Sequence, residues 1–184
     1  MIRFDNVSTE VMQAMCTPMH VILPPSGSNG GTLYMGSLSA VNDKDLLLSH
    51  RISHLVQVLD VPWLPLSEKD GFNCYKIPVH DQSSVDLRPH LEAVCDYIDR
   101  ALKSGQSVLV HCQQGVSRSA AIVIAYLIRN HGMTYDTAFG LCKSRRACVK
   151  PNSGFVMALR EWEAALGQKK GMARPTVGPR RWTS

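Results

Sequence analysis

The side chains best suited to chemistry in this 184-residue chain lie in one stretch, His111-Cys112-Gln113-Gln114-Gly115-Val116-Ser117-Arg118-Ser119. Five residues separate Cys112 from Arg118. A loop of that length can turn its backbone N–H groups inward as an anion nest. Gln113, Gln114, Gly115, Val116 and Ser117 would supply those groups, and the planar fork of Arg118 can hold two phosphate oxygens at once. Gly115 permits a backbone conformation that a Cβ would resist. The same donors favour the thiolate of Cys112, which makes it a nucleophile at neutral pH. Ser119 is placed to donate a hydrogen bond towards the sulfur, and His111 is expected to order the loop by hydrogen bonding. One segment thus offers both a nucleophile and a cradle for a tetrahedral oxyanion.

Such a loop must sit between a strand and a helix. Ser107–His111 reads as a short apolar strand, and Ala120–Arg129 as a helix apolar on every face. The rest of the chain alternates in the same way. Strands are expected over 19–23, 32–35, 52–60 and 73–77. Helices are expected over 37–51, 87–104, 134–145 and from Asn152 or Ser153 to Leu166. This alternation predicts a single α/β domain with a central, twisted, mostly parallel sheet flanked by helices. Ligands in such sheets bind at the carboxyl ends of strands, where this loop lies. Residues 1–18 read as an N-terminal extension, 19–167 as the catalytic unit, and 168–184 as a basic, flexible tail.

Composition narrows the remaining classes. None of the six cysteines falls in a Cys-x-x-Cys pair, which argues against zinc and thioredoxin-like chemistry. No signal peptide, membrane-spanning run or N-terminal Met-Gly is present, so the expectation is a cytoplasmic or nuclear protein with reduced thiols. Asn6-Val7-Ser8 then matches a glycosylation acceptor only by accident. The formal charge of +5 owes much to Lys169, Lys170, Arg174, Arg180 and Arg181. Without aromatic interleaving or a recognition motif, no nucleic-acid partner is expected. Arg145 and Arg146 read either as a second phosphate site or as a solvated helix end. His80 reads as an exposed loop residue rather than a second proton carrier.

The pattern His-Cys-x5-Arg-Ser, with Ser117-Arg118-Ser119-Ala120 and the helix through Ala125-Tyr126-Leu127, resembles the dual-specificity branch of the cysteine-dependent protein phosphatases. Leu33-Tyr34-Met35-Gly36-Ser37 and Lys150-Pro151-Asn152-Ser153-Gly154-Phe155 resemble two further family elements. The likeness runs from about Met19 to Leu166 and is that of a small, atypical member. It implies a phosphocysteine intermediate on Cys112, phosphorylated protein substrates, a shallow pocket admitting both phosphotyrosine and phosphoserine/threonine, and no metal or cofactor. It implies that a loop aspartate protonates the leaving oxygen, Asp81 or alternatively Asp86. It gives Ser119 the breakdown of the intermediate and Asn152 the support of the loop. Two alternatives stand beside it. One is a phosphatase for inositol lipids, RNA 5′ ends or phosphoglucans, against which the uncharged Gln113 and Gln114 count. The other is a phosphoprotein-binding pseudophosphatase, against which the retained Cys112, Arg118 and Ser119 count. A second cysteine could form a protective disulfide with Cys112.

Overall fold

The strand Ser107–His111 (β5) is buried along its whole length. Its side chains divide by the two-residue period of a strand: Val108 and Val110 join one hydrophobic cluster, Leu109 another. The neighbouring strands divide likewise. In Leu33–Gly36 (β2), Leu33 and Met35 face the first cluster and Tyr34 the second. In Ile52–Gln57 (β3), Val56 and Leu55 part in the same way. A sheet covered on both faces explains why β5 shows an apolar run and no polar alternation. Met19–Leu23 (β1) and Asn73–Lys76 (β4) complete a five-stranded sheet in the order β1-β2-β5-β3-β4. β1 pairs antiparallel with β2, and every other pairing is parallel. The expected mostly parallel α/β sheet is therefore present in this computed structural model, which describes residues 8–61 and 63–172.

The larger cluster lies under Arg88–Lys103 (α4), Arg118–His131 (α5), Tyr135–Arg145 (α6) and Ser153–Met172 (α7). Every residue of α5 from Ser119 to Ile128 is buried, as its all-round apolar character requires. Gly132 ends it with a φ of +64°. The Thr134 hydroxyl caps α6 by accepting the Thr137 N–H at 3.2 Å. Asn152 caps α7 by accepting the Phe155 N–H at 3.0 Å.

Three boundaries differ from expectation. The helix foreseen over 37–51 is two short ones, Leu38–Val41 (α2) and Lys44–Ser49 (α3). Asp43 divides them, because its carboxylate accepts the Leu46 N–H at 2.9 Å and starts a new helix. Residues 1–18 were expected only as an extension, but they contain a helix, Thr9–Cys16 (α1). Helix α7 runs beyond Leu166 to Met172, and the rest of the basic tail, 173–184, lies outside the described residues. Among the described residues no helix is long and apolar enough to cross a membrane.

Candidate active site

Cys112 follows β5 directly and α5 begins at Arg118, so the loop between them crowns the central strand. Four of its carbonyls, those of residues 113–116, are taken by donors outside the loop. Gln113 O accepts the Leu38 N–H at 3.1 Å, and Val116 O accepts the Lys150 N–H at 2.8 Å. Gln114 O and Gly115 O accept from Arg146, at 3.1 Å from Nη2 and 2.9 Å from Nε. Carbonyls held outward leave the N–H groups of these residues to turn inward, as an anion nest requires. The Gly115 N–H is directed at the Cys112 sulfur, at 3.3 Å. Gly115 has a φ of +67°, and a Cβ there would come within 2.6 Å of the Gly36 carbonyl oxygen. Only glycine meets both demands.

Cys112 is 2% exposed, and its sulfur lies 3.3 Å from the Ser119 hydroxyl. A thiolate can only accept, so Ser119 is the donor whenever Cys112 is ionised. One arm of Arg118, Nη1, donates to the Val79 carbonyl at 3.3 Å. Its Nε is buried with no hydrogen-bond partner among the described residues. A buried guanidinium donor without an acceptor is costly, and an anion in the nest would satisfy it. The side chains of Gln113 and Gln114 are exposed at the rim.

The two candidate acids are held very differently. Asp81 is brought to the loop: its Oδ1 accepts from the Ser117 hydroxyl at 2.7 Å and from Asn152 Nδ2 at 2.8 Å. Asp86 is not. It receives Arg88 Nε at 2.9 Å, Nη2 at 3.0 Å and the Arg88 N–H at 3.0 Å. Those bonds hold its carboxyl below the usual range, which suits a fixed anion and not a proton donor. Arg88 also pairs with Glu161. His80 is engaged elsewhere: its Nε2 faces Asp60 Oδ2 at 3.0 Å in an exposed pair.

The family model of the dual specificity phosphatase catalytic domain matches residues 33–165. The chain belongs to the dual specificity phosphatase family. Dual specificity protein phosphatase 1B of Arabidopsis thaliana is 40% identical over 134 residues, covering 73% of this chain and 79% of that protein. Human DUSP28 shares the fold with a TM-score of 0.74 at 32% identity, over 82% of this chain and 96% of that one. A mouse putative dual specificity phosphatase, crystallised with zinc tungstate, superposes with a TM-score of 0.75 at 30% identity, over 92% of this chain and 97% of that one.

Arg146, read from the sequence as a second phosphate site or a solvated helix end, is neither. It is fully buried, whereas Arg145 is exposed. Besides Gln114 and Gly115, its Nη1 donates to Thr17 O at 2.8 Å and reaches His20 Nδ1 at 2.9 Å. With its donors spent on protein acceptors, Arg146 is not a second phosphate site but a clamp from α6 to the loop and β1. His111 also departs from expectation. It is fully buried, and neither ring nitrogen has a hydrogen-bond partner among the described residues. Burial pushes it down to about 4, with the Cys112 main chain working the other way. Burial pushes the Cys95 and Cys142 thiols up to about 12, so they stay protonated.

Proposed function

We propose that this phosphatase hydrolyses phosphotyrosine and phosphoserine/phosphothreonine in proteins through a phosphocysteine intermediate. The observation that carries the reading is the loop from Cys112 to Arg118, with four carbonyls taken by donors outside it and its sulfur held between Gly115 N–H and Ser119. The substrate phosphate would lie in the ring of N–H groups with two oxygens on Arg118. The Cys112 thiolate attacks phosphorus in line with the ester oxygen. As the P–O bond breaks, Asp81 gives its proton to the departing oxygen and becomes a carboxylate. That carboxylate then takes a proton from water, whose oxygen attacks phosphorus. The S–P bond breaks, phosphate leaves, and the Ser119 hydroxyl stabilises the returning thiolate.

Protein substrates are supported by the names of the relatives, and oxyanion binding by the tungstate complex of the mouse neighbour. The neutral rim residues Gln113 and Gln114 favour a singly phosphorylated side chain over a polyphosphorylated ring. We assign the catalytic unit to 19–167, with the helix of the N-terminal extension tied to it through Arg146 and Thr17. A role in signalling in a reducing compartment, cytoplasm or nucleus, agrees with six cysteines that are all free.

The test is hydrolysis of an aryl phosphate by the wild type and by Cys112→Ser, followed by phosphopeptides, an inositol phospholipid, a 5′-triphosphorylated RNA and a phosphoglucan. The expected result is turnover of phosphopeptides by the wild type and none by Cys112→Ser. Folded wild-type protein that binds phosphopeptides without turnover would contradict the proposal, as would a preference for one of the non-protein substrates.

A further inference from the structure

The contacts around Asp81 fix where its protons can sit. Asn152 Oδ1 accepts the Phe155 N–H, so its amide nitrogen is the end that faces Asp81. Ser117 Oγ accepts the Asn152 N–H at 3.0 Å, so its single hydrogen is free for Asp81. Two donors therefore converge on one oxygen, Oδ1. An oxygen already accepting two hydrogen bonds is a poor seat for the carboxyl's own proton, which belongs on Oδ2.

We propose that Ser117 and Asn152 are positioning residues for the proton transfer, holding Asp81 by Oδ1 so that the transferable proton is carried on Oδ2. This rests on the reading of Asp81 as the general acid. Ser117 precedes Arg118 in the phosphate loop itself, so the acid hangs from the same segment that would hold the phosphate. Asn152 ties both to the start of α7. The acid and the anion nest are thereby kept in register by three side chains. In the first step the proton passes from Oδ2 to the ester oxygen as the P–O bond breaks. In the second the same oxygen receives a proton from water.

The test uses Ser117→Ala and Asn152→Ser, each alone and combined with Asp81→Asn. Serine is itself a good helix cap, so Asn152→Ser keeps α7 started while losing the reach to Asp81. Turnover is measured on aryl phosphates of graded leaving-group basicity, from 4-nitrophenyl to phenyl phosphate. A more basic leaving oxygen depends more on the acid. Each variant is expected to lose about tenfold in kcat on phenyl phosphate and less on 4-nitrophenyl phosphate. KM should move by less than about twofold, and neither change should add to the loss in the Asp81→Asn background. Losses equal across the series, or undiminished alongside Asp81→Asn, would overturn the proposal and leave the pair as a brace for the loop. If Asp81→Asn itself shows no dependence on the leaving group, the acid reading falls, and the inference falls with it.

Discussion

Arg145 and Arg146 are neighbours in the chain with opposite fates. Arg146→Met should destabilise the protein by about 3–5 kcal/mol, because the carbonyls of Gln114, Gly115 and Thr17 lose their donor inside the fold. Arg145→Met should change stability by less than about 0.5 kcal/mol, as for most exposed side chains. Urea unfolding of the two variants measures the difference. Nothing local marks this distinction, since both arginines end the same helix and the acceptors come from residues far away in the chain. Asp81 and Asp86 form a similar contrast. Asp81→Asn should lower kcat on phenyl phosphate by about 10²–10³-fold, as expected for loss of a general acid. Asp86→Asn should stay within about threefold, since an exposed ion pair contributes little. Steady-state kinetics on that substrate separates them. The motif around Cys112 was legible because nucleophile, nest and arginine are contiguous. The partner of Asp81 was not, because Ser117 and Asn152 meet it only in three dimensions.

At the scale of elements, the start of α7 presses on the loop that carries Asp81. A Cβ on Gly154 would sit 1.9 Å from the Ser83 carbonyl oxygen, two residues from Asp81. Gly154→Ala must therefore push the loop or the helix aside. It should cost about 1–3 kcal/mol in stability, the usual penalty of overpacking. It should also lower kcat more on phenyl than on 4-nitrophenyl phosphate, because Asp81, the proposed acid, is displaced along with the loop. Melting curves and the kcat ratio for the two substrates provide the check. The β5-loop-α5 unit was legible to within a residue or two, since a fully buried strand and an all-round apolar helix leave strong local patterns. The stretch 37–51 was not, because a capping aspartate in mid-pattern competes with helix continuation, and Asp43 wins. Helix α1 was missed because a two-turn amphipathic segment gives little periodicity to read.

At the scale of the whole molecule, sheet order decides the site. β5 lies between β2 and β3, so its loop meets donors from α2 and the α6–α7 connection. No local pattern encodes that order; only the parallel character of the sheet could be foreseen. Histidines bear on the acid stability of this fold, His111 above all. Burial lowers His20, His54, His111 and His131 from 6.5, and His111 reaches about 4. Below about 6.5 the unfolded chain takes up protons that the native state resists, so stability is full above that pH and falls as the pH drops towards 4. His111 alone accounts for about 3 kcal/mol across that window. Denaturant unfolding at several pH values should show the slope, and His111→Asn should flatten it. The central claim is that Cys112 carries the phosphoryl group during turnover. Rapid acid quench of the enzyme with a phosphopeptide, followed by peptide mass mapping, tests it most directly. Phosphate is expected on the peptide containing Cys112, accumulating further in Ser119→Ala and absent in Cys112→Ser. Phosphate on any other residue, or turnover by Cys112→Ser within about 10²-fold of wild type, would contradict the mechanism.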